Sequence, residues 1–390
     1  MKLIDANELL SAFSLALDRA ENQPFEHAQR TTYIALQIAR ELELPEKELG
    51  DIYMASLLHD IGIITSKADS HEDMSLLVSH CTMGADMIKG LPLSPEVVNY
   101  VRWHHANWDG SGPFERQGDE IPYGAQIVYL ADRIDLKLRE VGSIYNDRSV
   151  IRDLLKKNKG TLFNPLLVEA FLNIQSREKF WLDHSSVYLP GILQVIQPKV
   201  NLEICTDTLN VIANTFATII DNKSPFTYNH SKGLANLAVA VGKHYGFPAE
   251  TLQQLHTSAL LHDLGKLTIP NEILDKPSKL TNEEYLIIKS HPYYTKLILS
   301  KIHGLEIIRD WAGNHHETLD GQGYPEGISG KDLGIPEQII SLCDVYQALT
   351  ENRPYREPLS QSKAIEIITD LVRNGKLSES VFTNLKQVIA

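Results

Sequence analysis

The sequence repeats one pattern of histidine and aspartate residues in its two halves. In the first half the pattern is His27, His59-Asp60, His80, His104-His105 and Asp132. The second half carries the same residue types in the same order, at His230, His262-Asp263, His291, His315-His316 and Asp344. The offsets are 203, 203, 211, 211 and 212 residues, so the second copy contains an eight-residue insertion and one further shift. The chain is therefore predicted to contain two copies of one domain.

The residues around these histidines have the spacing of buried helices. Apolar residues follow His27 and His230 at positions that share one helical face. Each His-Asp pair ends an apolar run that stops at a glycine, Gly62 or Gly265, as helices commonly do. Long helical periods dominate, and alternating β-branched runs are few. The fold class is therefore predicted to be all-α, with two tandem helical domains.

The domain boundaries follow from where the repeat ends. Amphipathic segments after Asp132 and Asp344 complete each copy, which places the first domain at residues 1–175 and the second at 201–390. Residues 176–200 are then predicted to form a short helical or irregular connection. The chain has 390 residues, so each of the two copies is long enough to bury its own core.

Composition excludes several classes of protein. The net charge of −13 provides no basic field for DNA or an anionic membrane, so an anionic substrate needs local attraction. No apolar run approaches the 18 or so residues of a membrane span, and the N-terminus lacks a signal-peptide pattern. Three scattered cysteines do not form a disulfide framework. We expect a cytoplasmic protein with neither DNA nor a membrane as a partner.

The repeated residues favour metal binding. A single histidine on an apolar helix face is more often a hydrogen-bonded core residue, and this is the alternative for each one taken alone. Each copy, however, offers five histidines and two aspartates without a paired thiolate, which favours a catalytic iron, manganese, nickel or zinc site over a structural zinc site. An aspartate among imidazoles can bridge two cations about 3.5–4 Å apart.

At these residues the sequence resembles the HD-domain metal-dependent phosphohydrolases, and its second half resembles the HD-GYP family of cyclic dinucleotide phosphodiesterases. The resemblance covers the whole second domain and depends on several motifs in order. These are His262-Asp263-Leu264-Gly265-Lys266, residues 269–274, His291-Pro292, His315-His316-Glu317, Asp320-Gly321-Gln322-Gly323-Tyr324-Pro325, Ile335-Pro336, Asp344 and Arg353-Pro354-Tyr355-Arg356.

The resemblance implies two divalent metal ions in the second domain, iron or manganese first, with nickel or zinc as alternatives. The implied ligands are His230, His262, Asp263, His291, His315, His316 and Asp344. Asp263 is implied as the bridge between the ions and as a catalytic residue. Members with three metals have a glutamate four residues before the first histidine, but Phe226 occupies that position here. A phenyl ring cannot bind a metal, so two ions are expected.

Three cations are candidates for binding substrate phosphate. Lys266 follows the His-Asp pair and is expected to act in catalysis as well as in binding. Arg353 and Arg356 could add charge-assisted hydrogen bonds to the same group. The alternative for the arginine segment is a solvated turn.

The first domain keeps a potential ligand at every matching position. These residues are His27, His59, Asp60, His80, His104, His105 and Asp132. Other parts of the motif are changed, because Ile63 replaces Lys266, residues 108–113 lack the tyrosine, and no Arg-Pro-Tyr-Arg segment follows Asp132. We expect a metal centre here that hydrolyses cyclic dinucleotides poorly and has a structural or regulatory role.

The resemblance implies a phosphodiesterase that opens a cyclic dinucleotide to the linear form. The substrate expected for the family is c-di-GMP, and 3′,3′-cGAMP is the alternative in tandem members. Two other functions remain open at this stage. One is a catalytically silent module that reports ligand or metal state to a signalling partner, and the other is a phosphohydrolase acting on another nucleotide.

Overall fold

The computed structural model describes residues 4–20, 27–63, 74–141, 148–199, 204–223, 230–351 and 357–390. The chain divides into two compact units, which are described separately. The first unit comprises Leu9–Leu202, and the second comprises Met1–Glu8 with Glu203–Ala390. No described residue belongs to a β-strand, so the all-α prediction is confirmed. No helix among these residues combines the length and apolar character that crossing a membrane requires.

The described residues of the first half of the chain form ten α-helices. They are α1 (Ala6–Ala20), α2 (His27–Glu41), α3 (Glu46–Leu58), α4 (Met74–Ile88), α5 (Pro95–Trp103), α6 (Tyr123–Val141), α7 (Arg148–Asn158), α8 (Pro165–Ile174), α9 (Glu178–His184) and α10 (Leu189–Ile196). Within the first unit, α2 packs against α3 and α6, and α5 packs against α3, α4 and α6.

Ten more α-helices lie in the part of the second half that the structure describes. They are α11 (Thr206–Asn222), α12 (His230–His244), α13 (Ala249–Leu261), α14 (Asn271–Leu274), α15 (Asn282–Lys289), α16 (His291–Leu299), α17 (Glu306–Gly313), α18 (Ile335–Thr350), α19 (Gln361–Arg373) and α20 (Glu379–Ile389). In the second unit, α12 packs against α13 and α18, and α17 packs against α13, α16 and α18.

Residues 176–200, predicted as a connection, lie within the first unit and form α9 and α10. Two aromatic side chains of α9, Phe180 and Trp181, are buried. The Phe180 ring stacks on Tyr33 of α2 with 5.6 Å between ring centroids. The segment therefore contributes to the core of this unit, because its aromatic residues face α2.

A glycine after each His-Asp pair allows a close approach between two chain segments. A β-carbon on Gly62 would lie 2.1 Å from the carbonyl oxygen of His80, and one on Gly265 would lie 1.9 Å from that of His291. Only a residue without a β-carbon fits such a contact. The glycine of the motif thus brings the third histidine of each unit next to the His-Asp pair.

We expect Gly62→Ala to lower the free energy of unfolding of the first unit by about 1–3 kcal/mol, because the new methyl group displaces the His80 backbone. Gly191→Ala in α10 is the matched control. No heavy atom of the described residues lies within 4 Å of a β-carbon there, so it should leave stability unchanged or raise it by up to about 1 kcal/mol. Urea unfolding followed by tryptophan fluorescence measures both, and equal stability of the two variants would contradict the close-contact argument.

Candidate functional site

Four of the repeated histidines stand at the C-terminal ends of helices, where backbone carbonyls lack intrahelical partners. In each case the ring nitrogen Nδ1 lies 2.6–2.8 Å from the carbonyl oxygen three residues earlier. The pairs are His59 with Ser56, His104 with Val101, His262 with Ala259 and His315 with Ala312. A carbonyl only accepts, so Nδ1 carries a proton and Nε2 is the nitrogen that can present a lone pair to a cation. This is how proteins orient metal-binding histidines.

In the second unit, one group of these atoms surrounds Asp344. His230 Nε2 lies 3.4 Å from Asp344 Oδ1, and His262 Nε2 lies 4.0 Å from the same oxygen. His262 Nε2 is also 3.2 Å from Asp263 Oδ2. Three helices, α12, α13 and α18, bring these four residues together.

A second group of histidines lies around the other carboxylate oxygen of Asp263, Oδ1. His291 Nε2 lies 3.3 Å and His315 Nε2 lies 4.0 Å from Asp263 Oδ1. The His316 ring follows at a centroid distance of 4.1 Å from His315. Asp263 is therefore the residue that both groups share.

The contact between His291 and His315 is the clearest sign of a cation site. Their Nε2 atoms are 3.1 Å apart. Both rings donate Nδ1–H to a carbonyl, His291 to Ile288 and His315 to Ala312, so both Nε2 atoms carry lone pairs. Two lone pairs at this distance repel each other, and a cation between them turns the repulsion into coordination.

The distances also fit one ion in each group. Ligand atoms about 2.1 Å from a metal, at octahedral or tetrahedral angles, lie about 3.0–3.4 Å apart. Three atoms of the second unit that point into the two groups are buried and have no hydrogen-bond partner among the described residues, which burial normally disfavours. They are His230 Nε2, His262 Nε2 and Asp263 Oδ1. The donor set therefore fits divalent metals.

The first unit has the same arrangement. His27 Nε2 lies 3.4 Å from both Asp60 Oδ2 and Asp132 Oδ1, and His59 Nε2 lies 3.1 Å from Asp60 Oδ2. On the other side, His80 Nε2 is 3.2 Å from Asp60 Oδ1. His104 completes this side, with its Nε2 3.1 Å from that of His80. His105 packs against His104 at a centroid distance of 4.2 Å.

The two groups in each unit differ in electrostatic character. Burial lowers the pKa of His59 and His230, but nearby carboxylates outweigh it and raise these pKa values to about 10 and about 9. Burial lowers the pKa of His104 and of His291 to about 3, and that of His316 to about 4. In one group the carboxylates thus attract positive charge. In the other group the imidazoles are neutral and can bind a cation.

The glycine-tyrosine-proline loop lies beside the second group. The Tyr324 ring is 4.8 Å from the His316 ring between centroids. Buried Glu317 accepts hydrogen bonds from the backbone N–H groups of residues 326–328 at 2.7–3.1 Å. A β-carbon on Gly323 would lie 2.4 Å from the α-carbon of Glu317. The loop is therefore held against the site by its own motif residues.

Comparison with known proteins shows the family of the chain. The HD domain family matches residues 25–137 and again 214–381. The chain is 30% identical to 3′3′-cGAMP-specific phosphodiesterase 1 of Vibrio cholerae serotype O1, over 97% of this chain and 90% of the relative. The chain belongs to the HD-GYP family.

Other matches extend the comparison. A crystal structure of a cyclic GMP-AMP-specific phosphodiesterase of V. cholerae matches this HD-GYP protein with a TM-score of 0.73 and 26% identity, covering 99% of this chain and 98% of that one. A cyclic di-GMP phosphodiesterase of Pseudomonas aeruginosa is 32% identical over 40% of this chain and 38% of the relative. HD domains are metal-dependent, and both units of this chain have clusters that could hold metal ions.

The structure of this HD-GYP protein describes one of the three cations that were predicted to bind phosphate. Lys266 Nζ donates a hydrogen bond to Asp263 Oδ2, so it lies in the site. Arg353 and Arg356 lie outside the described residues, as does Phe226. Their roles stay predictions.

The carboxylates that orient the first histidine of each site were not predicted from the sequence. Asp135 Oδ2 accepts a hydrogen bond from His27 Nδ1 at 2.7 Å, while its other oxygen accepts from Arg30 Nε at 2.8 Å and from His184 Nε2 at 3.2 Å. Asp135 is fully buried in α6, three residues after Asp132. That spacing, one turn along the same helix face, was the available signal.

In the second unit a different residue has this role. Glu351 Oε2 accepts from His230 Nδ1 at 2.8 Å. The position that corresponds to Asp135 is Gln347, and the one that corresponds to Arg30 is Gly233. A β-carbon on Gly233 would lie 2.6 Å from Gln347 Nε2, so the amide fills the space next to the glycine. An Arg-Asp pair in one unit is thus replaced by a Gly-Gln contact in the other, and the orienting carboxylate moves one turn along α18.

We expect Asp135→Asn to lower the free energy of unfolding of the first unit by about 3 kcal/mol, because it removes the buried negative charge that accepts hydrogen bonds from Arg30 and from two buried imidazoles. The experiment is urea unfolding in the presence of a chelator, so that metal binding does not contribute. Asp86→Asn is the control, since Asp86 is 61% exposed in its pair with Arg102 and should cost less than about 1 kcal/mol. A loss no larger in Asp135→Asn than in the control would contradict the role assigned to the buried network.

Proposed function

We propose that this chain is a metal-dependent phosphodiesterase that hydrolyses a cyclic dinucleotide to the linear dinucleotide, with its active site in the second unit. The observation that carries the proposal is the shared position of Asp263 between two histidine groups, with the lone pairs of His291 and His315 facing each other. A two-ion site of this kind is suited to in-line displacement at phosphorus. The relatives that match along the chain are named phosphodiesterases.

The preferred substrate is proposed to be 3′,3′-cGAMP. Two relatives that match over 97% and 98% of this chain are named 3′3′-cGAMP-specific phosphodiesterases. The relative from P. aeruginosa named for cyclic di-GMP matches over 40%. Similarity along both units supports cGAMP over c-di-GMP, which remains the second candidate.

The ligands proposed for two ions are His230, His262, Asp263, His291, His315, His316 and Asp344. Iron or manganese is proposed first, since histidine and carboxylate ligands suit several divalent metals, nickel and zinc included. Bound ions supply Lewis acidity at phosphorus and lower the pKa of water toward neutrality. His230 and His262 would hold a metal through Nε2, because Glu351 and the carbonyl of Ala259 fix their rings.

Lys266 is proposed to change partners during the reaction. Its ammonium group neutralises Asp263 Oδ2 in the structure described here. When Asp263 binds cations instead, Lys266 is free to donate to a phosphoryl oxygen and to stabilise negative charge that develops in the transition state. Water adds to phosphorus, the bond from phosphorus to the 3′ oxygen breaks, and the proton of the water ends on that oxygen.

The first unit is proposed to hold a second metal centre without efficient hydrolysis, and to act as a structural or regulatory domain. Its ligand geometry supports the metal, since His27, His59 and Asp132 match the arrangement of the second unit. Ile63 at the position of Lys266 supports the loss of turnover, because no cation is supplied there. A cytoplasmic location and a signalling partner stay predictions from the sequence.

The activity is tested by product chromatography with anaerobically purified full-length protein, supplied with Fe(II) or Mn(II). Linear dinucleotide is expected from 3′,3′-cGAMP, and more slowly from c-di-GMP. Asp263→Asn should reduce turnover to background because the bridge loses charge and one metal-binding oxygen. Asp370→Asn, at a site 64% exposed on α19, should retain activity.

Absence of turnover with metal bound would contradict the proposed enzyme. A ligand-dependent rise in melting temperature without product would then identify a silent signalling module. Turnover of another nucleotide but of neither cyclic dinucleotide would identify a different phosphohydrolase.

The roles of the two units are separated by His59→Ala and His262→Ala. Each variant should lower the metal content per chain by a similar amount, measured by elemental analysis. Activity should persist in His59→Ala and disappear in His262→Ala, because only the second unit combines ligands with Lys266. Unchanged metal content in His59→Ala would overturn the proposed centre in the first unit.

A further inference from the structure

Helix α15 places an aromatic ring and a cation beside the loop that borders the candidate metal site. Tyr285 is 51% exposed, although it lies on a well-anchored helix. Thr281 and Glu284 form a capping box at the start of α15, and Lys276 donates to both oxygens of Glu284 at 2.6 Å. The exposed ring is thus held in position by the start of its own helix.

Lys289 connects this ring to the site. Its Nζ lies 4.6 Å from the centroid of the Tyr324 ring and 5.9 Å from that of Tyr285. Tyr324 in turn lies 4.8 Å from His316, one of the proposed metal ligands. These contacts form a continuous surface from the exposed face of α15 to the second histidine group.

The charge of Lys289 is not neutralised by a carboxylate within the described residues. Neighbouring lysines differ, since Lys266 pairs with Asp263, Lys276 with Glu284 and Lys296 with Glu326. A cation that rests on two aromatic faces beside a metal site remains available to an incoming anion.

The two units of the chain differ at all of these positions. Residues 285, 289 and 324 correspond to Met74, Val78 and Pro113 in the first unit. The seven potential metal ligands are kept in both units, yet the rings and the cation occur only in the second. We therefore associate this surface with substrate binding in the second unit. The potential metal ligands are common to both units and the surface is not.

We propose that Tyr285, Lys289 and Tyr324 form a nucleotide-binding wall, in which Tyr285 stacks on a base of the cyclic dinucleotide and Lys289 binds the phosphate that is not cleaved. The wall deepens the proposed function and rests on it. Every nucleobase has a π-face that can stack on tyrosine, and a phosphate is the anion that a lysine beside such a stack commonly binds. Tyr324 supports Lys289 through its ring face and borders the metal ligands.

The test compares KM and kcat for 3′,3′-cGAMP in the Mn(II)-loaded full chain. Tyr285→Ala and Lys289→Met should each raise KM by about tenfold, since one stacked base or one phosphate contact is lost, with kcat changed by less than about threefold. Tyr285→Phe keeps the ring and should stay within about twofold of the wild type. Lys289→Met should also weaken the dependence of KM on salt, because one cation-phosphate contact is removed.

Tyr293→Ala is the matched control. Tyr293 is 52% exposed on α16, and among the described residues its ring contacts Tyr294 but neither Lys289 nor Tyr324. It should leave KM and kcat unchanged. Metal content and melting temperature, measured for every variant, confirm that the site and the fold are retained.

The outcomes separate the wall from the proposed function. If the wild type turns over cyclic dinucleotide but Tyr285→Ala and Lys289→Met keep the wild-type KM, the proposed nucleotide-binding wall is wrong. The proposed phosphodiesterase activity is then still supported. If the wild type turns over neither cyclic dinucleotide, the proposed function fails, and calorimetric binding of 3′,3′-cGAMP to the same variants decides the wall. Equal affinity in all variants, or no binding to the wild type, would overturn it.

Discussion

A buried aspartate between two groups of imidazoles is the constraint on which each unit depends. Asp60 and Asp263 are almost fully buried, and an isolated charge in such a place is strongly unfavourable. Neighbouring histidines hold the pKa of both carboxyl groups well below the usual range, although burial acts in the opposite direction. The helices that supply these histidines must therefore meet around the aspartate. The same convergence that neutralises the aspartate also assembles a site for cations.

The helix ends perform two tasks at that point. Their last carbonyls lack partners within the helix, and the histidine that follows satisfies one of them through Nδ1–H. That hydrogen bond also fixes the tautomer and directs the lone pair of Nε2 inward. Glycine after the His-Asp pair then permits the next segment to approach. The same histidine thus helps to end the helix and sets the geometry of the site.

The two units show which parts of this arrangement vary independently. Both keep the repeated histidines and aspartates, but the orienting carboxylate is Asp135 in one and Glu351 in the other. The repeated residues could be recognised because they recur in order along the sequence. The orienting residues were not predicted, because Glu351 pairs with a histidine 121 positions away and no local pattern marks the pair. The packing of Phe180 in α9 depends likewise on a distant partner, since its ring stacks on Tyr33 of α2.

The sequence by itself determined the helical class, the duplication and the residue types available for metal binding, because helical periodicity and repeated side chains are local properties that can be read along the chain. The tertiary structure decided which Nε2 atoms face each other, which aspartate both groups share, and which carboxylates fix the rings. It also decided that Lys289 lies between two tyrosine rings, and that one of these rings, that of Tyr324, lies next to His316. These relations depend on packing between helices that are distant in the sequence, and distances of a few ångströms between such helices are set only by the folded core.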